Sequence, residues 1–68
     1  MIDRTIITAK AEKIRRYVYR KYKNVNGVDL LFDDREQQLK IYILCKGNIT
    51  TVYYDYKTLL TLEIPEDE

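Results

Sequence analysis

Few residues of this chain are equipped for chemistry, and the missing types narrow the field first. Its 68 residues include one cysteine and no histidine. No side chain therefore has an ordinary pKa near neutrality, and neither a Ser/His/Asp nor a Cys/His nucleophile set can be assembled. A zinc site of the usual kind lacks its donors, and an internal disulfide lacks its second thiol. Cys45 lies in a run of β-formers and reads as a small hydrophobe on the core face, because a nucleophilic thiol would want a basic partner. Asp33, Asp34 and Glu36 make an acidic run, but the calcium-loop spacing with its glycine is absent. No glycine-rich phosphate loop occurs either. The expectation is a protein that is not an enzyme and that uses no metal or cofactor.

Charge is the next resource. Residues 1–24 hold eight Lys/Arg against two acids, giving +6, whereas residues 25–68 hold four against nine, giving −5. Within the basic part, Lys13, Arg16, Arg20 and Lys23 recur at spacings of three and four, which places them on one helix face. Like charges at that spacing repel by a few tenths of a kcal/mol per pair, so a counter-charge is expected. Nucleic-acid phosphate is one candidate, with Tyr17 and Tyr19 nearby to stack or hydrogen-bond. An acidic protein is another. The plain alternative is a solvated face, partly neutralised by the chain's own acidic turn or tail.

The elements that position these residues follow from periodicity. From Asp3 or Thr5, both suitable N-caps, to Lys23 the chain reads as an amphipathic helix. Its apolar stripe is Ile7, Ala11, Ile14, Val18 and Tyr22, with Val25 as an extension. Asn24 and Asn26-Gly27 mark the exit, being tolerant of left-handed backbone. Val28 to Asp33 reads as a strand. A four-residue turn then sets Phe32 beside Leu39, Leu30 beside Ile41 and Val28 beside Ile43. Two further strands flank Gly47-Asn48, read as a two-residue hairpin turn. That turn pairs Ile43 with Val52, Tyr42 with Tyr53, Ile41 with Tyr54, Lys40 with Asp55 and Leu39 with Tyr56. Leu39, Ile41, Ile43, Val52, Tyr54 and Tyr56 then share an inner face for the helix to cover. Leu31, Tyr42, Leu44, Ile49 and Tyr53 stand on the outer face, an apolar surface suited to a dimer or partner interface. Leu59 to Ile64 alternates and reads as a short fourth strand, with a helical turn begun by Asp55 as the alternative.

Gly27-Val28-Asp29-Leu30-Leu31-Phe32 followed by Ile41-Tyr42-Ile43-Leu44-Cys45-Lys46 resembles the helix-then-hairpin core of the PD-(D/E)xK nucleases. Asp29 and Lys46 match that motif. Leu44 stands where it needs a carboxylate, so what the resemblance implies is a scaffold unable to bind metal and catalytically dead.

The whole reads as one small α+β domain over residues 1–68, an N-terminal helix packed on one face of a three- to four-stranded antiparallel sheet, with residues 65–68 a flexible acidic tail. A core of this size is marginally stable alone, which favours a homodimer through the outer sheet face that carries Tyr42 and Tyr53. Charges within and after the short apolar start argue against a signal peptide, and no apolar run reaches the ~20 residues of a membrane span. With its single thiol, the chain is expected in the cytoplasm, without membrane contact. Richness in Tyr, Ile, Lys and Asn suits a bacterial or phage source. The expected function is that of a small regulatory or adaptor protein acting by protein contact; the alternative is nucleic-acid binding through the basic helix face.

Overall fold

The computed structural model describes residues 2–65, and the acidic residues 66–68 lie outside them. Along the chain come α1 (Arg4–Lys21), β1 (Val25–Asp33), β2 (Gln38–Cys45), β3 (Asn48–Asp55) and α2 (Tyr56–Thr61). The strands form one antiparallel sheet in the order β1-β2-β3, so the fold is α+β.

Asp3 wins the competition to cap α1, its Oδ1 accepting from the Thr5 N–H at 2.9 Å. That satisfies one of the amide groups a helix start leaves orphaned. Arg20 and Lys21 occupy the last turn, where the helix dipole favours cations. Ile7, Ala11, Ile14 and Val18 are buried as the stripe requires, but Tyr22 is not, with 51% of its surface exposed. The helix ends at Lys21, two residues short of the expected Lys23, and Tyr22 adopts extended backbone at the rim of the stripe. The exit therefore needs no left-handed residue at Asn24 or Asn26. Asn26 instead forms a bulge in β1, and its Oδ1 accepts from the Lys46 N–H.

The first hairpin has the expected register, with Val28 opposite Ile43, Leu30 opposite Ile41 and Phe32 opposite Leu39. The second does not. Its turn is Lys46-Gly47, with Cys45 opposite Asn48, both turn residues having positive φ (52° and 81°). Tyr42 consequently faces Thr51 rather than Tyr53, Ile43 faces Thr50, Ile41 faces Val52, Lys40 faces Tyr53 and Leu39 faces Tyr54. Moving the turn by one residue changes each pairing by two, which keeps every side chain on its face. The inner and outer faces therefore survive the correction. Gly47 suits the second turn position because it pays no Cβ penalty for positive φ, and the result pairs Leu44 with Ile49 on the outer face.

The fourth strand is replaced by α2, which begins after Asp55. Tyr56 and Leu59, three apart, are the buried pair, whereas Leu60 is exposed. A sheet of three strands leaves its inner face short of cover, and α2 supplies it by packing on β3 and α1. The core comprises Ile7, Ala11, Ile14, Val18, Val28, Leu39, Ile41, Tyr56 and Leu59.

Candidate functional site

The fold puts the two candidate surfaces on opposite sides of a thin body. On the helix side, Lys13, Arg16, Tyr19, Arg20 and Lys23 are all exposed. Tyr17 differs, being half-buried against an apolar cleft. Its ring also lies 5.8 Å from the Arg20 guanidinium carbon and 5.5 Å from the Lys21 ammonium. A hydrogen bond with the Tyr17 hydroxyl raises the Lys21 pKa above its ordinary value. Tyr17 is thus engaged by the protein itself, and Lys21 joins the basic surface without having been read there from sequence. Arg20 also donates to the Pro65 carbonyl at 3.0 Å.

On the sheet side, antiparallel pairing sorts the outer residues into cross-strand rows. Asp33, Gln38 and Asp55 form one; Leu31, Lys40 and Tyr53 the next; then Asp29, Tyr42 and Thr51; and last Gly27, Leu44 and Ile49. Leu31, Leu44, Ile49 and Tyr53 expose 49%, 39%, 67% and 55% of their surface, around a half-buried Tyr42. The structure brings all five expected outer-face residues together. Asp33 and Asp55 border them at one end and Asp29 along β1, while Lys40 stands between Leu31 and Tyr53, so the sheet side is apolar with charges of both signs.

Two further features were not read from sequence. A cleft of about 340 Å³ opens beside β3, lined by α1 residues Ile14, Tyr17 and Val18, by Val52 and Tyr54, and by the segment from Leu62 to Pro65. That segment runs without helix or strand, held to α1 by the Lys10 ammonium on the Leu62 carbonyl and by Arg20 on Pro65. At the other end of the core, Asp34 Oδ1 accepts from both Arg4 Nε and the Tyr56 hydroxyl at 2.7 Å. Arg4 lies 3.8 Å over the Phe32 ring, a cation–π contact that also orients it. The hydrogen bonds from Tyr56 and Arg4 hold the Asp34 carboxyl below its ordinary pKa. Burial, followed by the bond to Asp34, pushes the Tyr56 phenol up. This cluster ties α1 and α2 to the first turn; its members are too far apart in sequence for spacing to reveal it.

Asp29 and Lys46 do not form the pair their nuclease resemblance suggests. Asp29 faces Tyr42, while Lys46 lies four residues farther along in the turn, roughly 13 Å away at strand spacing. Among the described residues, no three His, Cys, Asp or Glu side chains gather into a metal-binding group, and no helix is long and apolar enough to cross a membrane. Comparison of the chain with protein-family models, curated proteins and solved structures gives no match.

Proposed function

We propose that this is a small non-enzymatic regulatory or adaptor protein that acts by protein contact through its outer sheet face. The observation that supports the reading is the gathering of Leu31, Leu44, Ile49 and Tyr53 around Tyr42, all on strands and, among the described residues, with no element laid over them. Aromatic residues on rigid strands offer large contact area with little side-chain entropy to lose, and an apolar patch with charged residues among and around it has the anatomy of an interface core and rim. The partner is a protein with an apolar centre. A half-buried single thiol suits action in the cytoplasm.

The test is binding of the parent and of Leu44→Lys with Tyr53→Lys to protein captured from a lysate after nuclease treatment. Both side chains are exposed, so circular dichroism should be unchanged while capture is lost. Retained capture by the folded double variant would remove the outer face from consideration.

A second reading is favoured by the exposed Lys13, Arg16, Arg20 and Lys23: binding of nucleic-acid phosphate by the helix side. It requires anisotropy with mixed DNA and RNA to show binding that weakens steeply across a salt series. Arg16→Glu with Arg20→Glu should abolish that binding and leave the outer-face contact in place.

A further inference from the structure

The two edges of the sheet are built differently. β1 carries the devices that discourage pairing: a bulge at Asn26, a glycine at 27, and Asp29 and Asp33 along its length. β3 carries none of them over Asn48–Tyr54, where the sequence Asn-Ile-Thr-Thr-Val-Tyr-Tyr has no charge, proline, glycine or bulge. Every second residue of an antiparallel edge strand turns its N–H and C=O away from the sheet. Among the described residues, no hydrogen bond from outside the hairpin reaches Asn48–Asp55. The inner side of the same edge is also under-covered, because α1 packs chiefly on β1 and α2, and the cleft opens at Val52 and Tyr54.

We infer that β3 is a dimerisation edge, along which two copies of this chain pair antiparallel about a two-fold axis to make one six-stranded sheet. An axis perpendicular to the sheet keeps both inner faces, and both helix layers, on the same side. Pairing centred on Thr51 sets Ile49 opposite Tyr53 of the other copy and Thr50 opposite its Val52, each pair sharing a face. It also moves the two Asp55 carboxylates to opposite ends, each beside the other copy's Lys46-Gly47 turn. The only charge on β3 thereby meets a cation rather than its own image. A second copy fits better than an unrelated strand because this closure consumes both unprotected edges. What remains outermost is β1 at each end, the edge already equipped against further pairing. The two clefts come to flank the axis, and the outer faces join into one doubled platform.

This goes beyond the outer-face reading and is separable from it. Sedimentation equilibrium from low-micromolar to submillimolar concentration should show a monomer–dimer equilibrium for the parent. Thr50→Lys places charge at the edge on the inner side, on an exposed residue away from the outer face. It should weaken association at least tenfold with an unchanged dichroism spectrum. Tyr42→Lys, central on the outer face, should leave the dimer intact. Independently of any variant, amide exchange in β3 of the parent should slow as concentration rises, while exchange in β1 stays constant. A parent that remains monomeric throughout, or a dimer broken by Tyr42→Lys and kept by Thr50→Lys, overturns the proposal. So does β3 exchange that responds only to an added extended peptide.

Discussion

Tyr56 sits where three demands meet: its ring is 1% exposed in the core, its N–H donates to the Gln37 carbonyl at 2.8 Å, and its hydroxyl donates to Asp34. A buried phenol wants a partner for its polar end, and here the partner is an exposed carboxylate that also takes Arg4. The Arg4–Asp34 pair is solvent-exposed and screened, so it orients the cluster more than it stabilises the fold. Tyr56→Phe should cost about 1 kcal/mol in a urea titration at neutral pH, because the ring stays and one hydrogen bond goes. The pH dependence has two arms. The folded-state pKa of Asp34 is lowered, so its contribution is present above the unfolded value of about 4 and is lost as pH falls through the folded one. The folded-state pKa of Tyr56 is raised, so its contribution is present below about 10 and is lost as pH rises from there. Tyr56→Phe should flatten the acid arm, by removing the largest cause of the Asp34 shift, and reduce the alkaline arm, to which Lys21 also contributes. Equal acid arms in parent and variant would show that Tyr56 does not govern Asp34.

Among the elements, the second hairpin shows where strand pattern stops being informative. Gly47 can serve as the first residue of a Gly-Asn turn or the second of a Lys-Gly turn, and the two registers differ by two residues, a shift that alternation cannot detect. The first hairpin offered no such choice, because a four-residue turn between Asp33 and Gln38 admitted one pairing of Phe32 with Leu39. The inner and outer faces, and with them Leu31, Tyr42, Leu44, Ile49 and Tyr53, were legible for the same reason that the turn was not. At α2 the ambiguity is of length: Leu60, Leu62 and Ile64 alternate, yet Tyr56 and Leu59 also stand three apart, and six residues are too few to separate the periods. The cleft required three distant segments and had no local signal. Lys46 remains in left-handed backbone, which a side chain with a plain Cβ resists by roughly 1 kcal/mol. Lys46→Asn creates the dipeptide best suited to this turn and should raise the midpoint of thermal unfolding by stabilising the fold about 0.5–1 kcal/mol. No gain would point to the Gly47-Asn48 turn instead.

As a whole the protein is a slab, with Cα extents of 38 × 28 × 15 Å, whose helix side carries Lys13, Arg16, Arg20 and Lys23 and whose sheet side carries Asp29, Asp33 and Asp55 together with Lys40. The segregation seen along the sequence is only partly one across the thin dimension: Asp29, Asp33 and Asp55 lie on the sheet side, but Asp34 bonds Arg4 of α1 and Glu63 lines the cleft beside Tyr17. Such a body should orient charged partners before contact, so association through either side should slow as salt screens the field. Reversing Arg16 and Arg20 to Glu should leave the dichroism spectrum unchanged and slow association with an acidic partner more than it speeds dissociation, as stopped-flow at two salt concentrations would measure. The order of strands in space, β1-β2-β3, is also their order in the chain, and this has a kinetic meaning. Each strand needs only its immediate predecessor, so the sheet can zip locally, while the contact of α1 with α2 spans most of the chain and bears the larger loop-closure cost. Leu59, fully buried in α2, belongs to that late contact. Leu59→Ala should destabilise by about 2–5 kcal/mol, with the loss falling on the unfolding rate and the refolding rate hardly changed. The middle of the chain would then be the seed, and the two helices would close over a sheet that already exists.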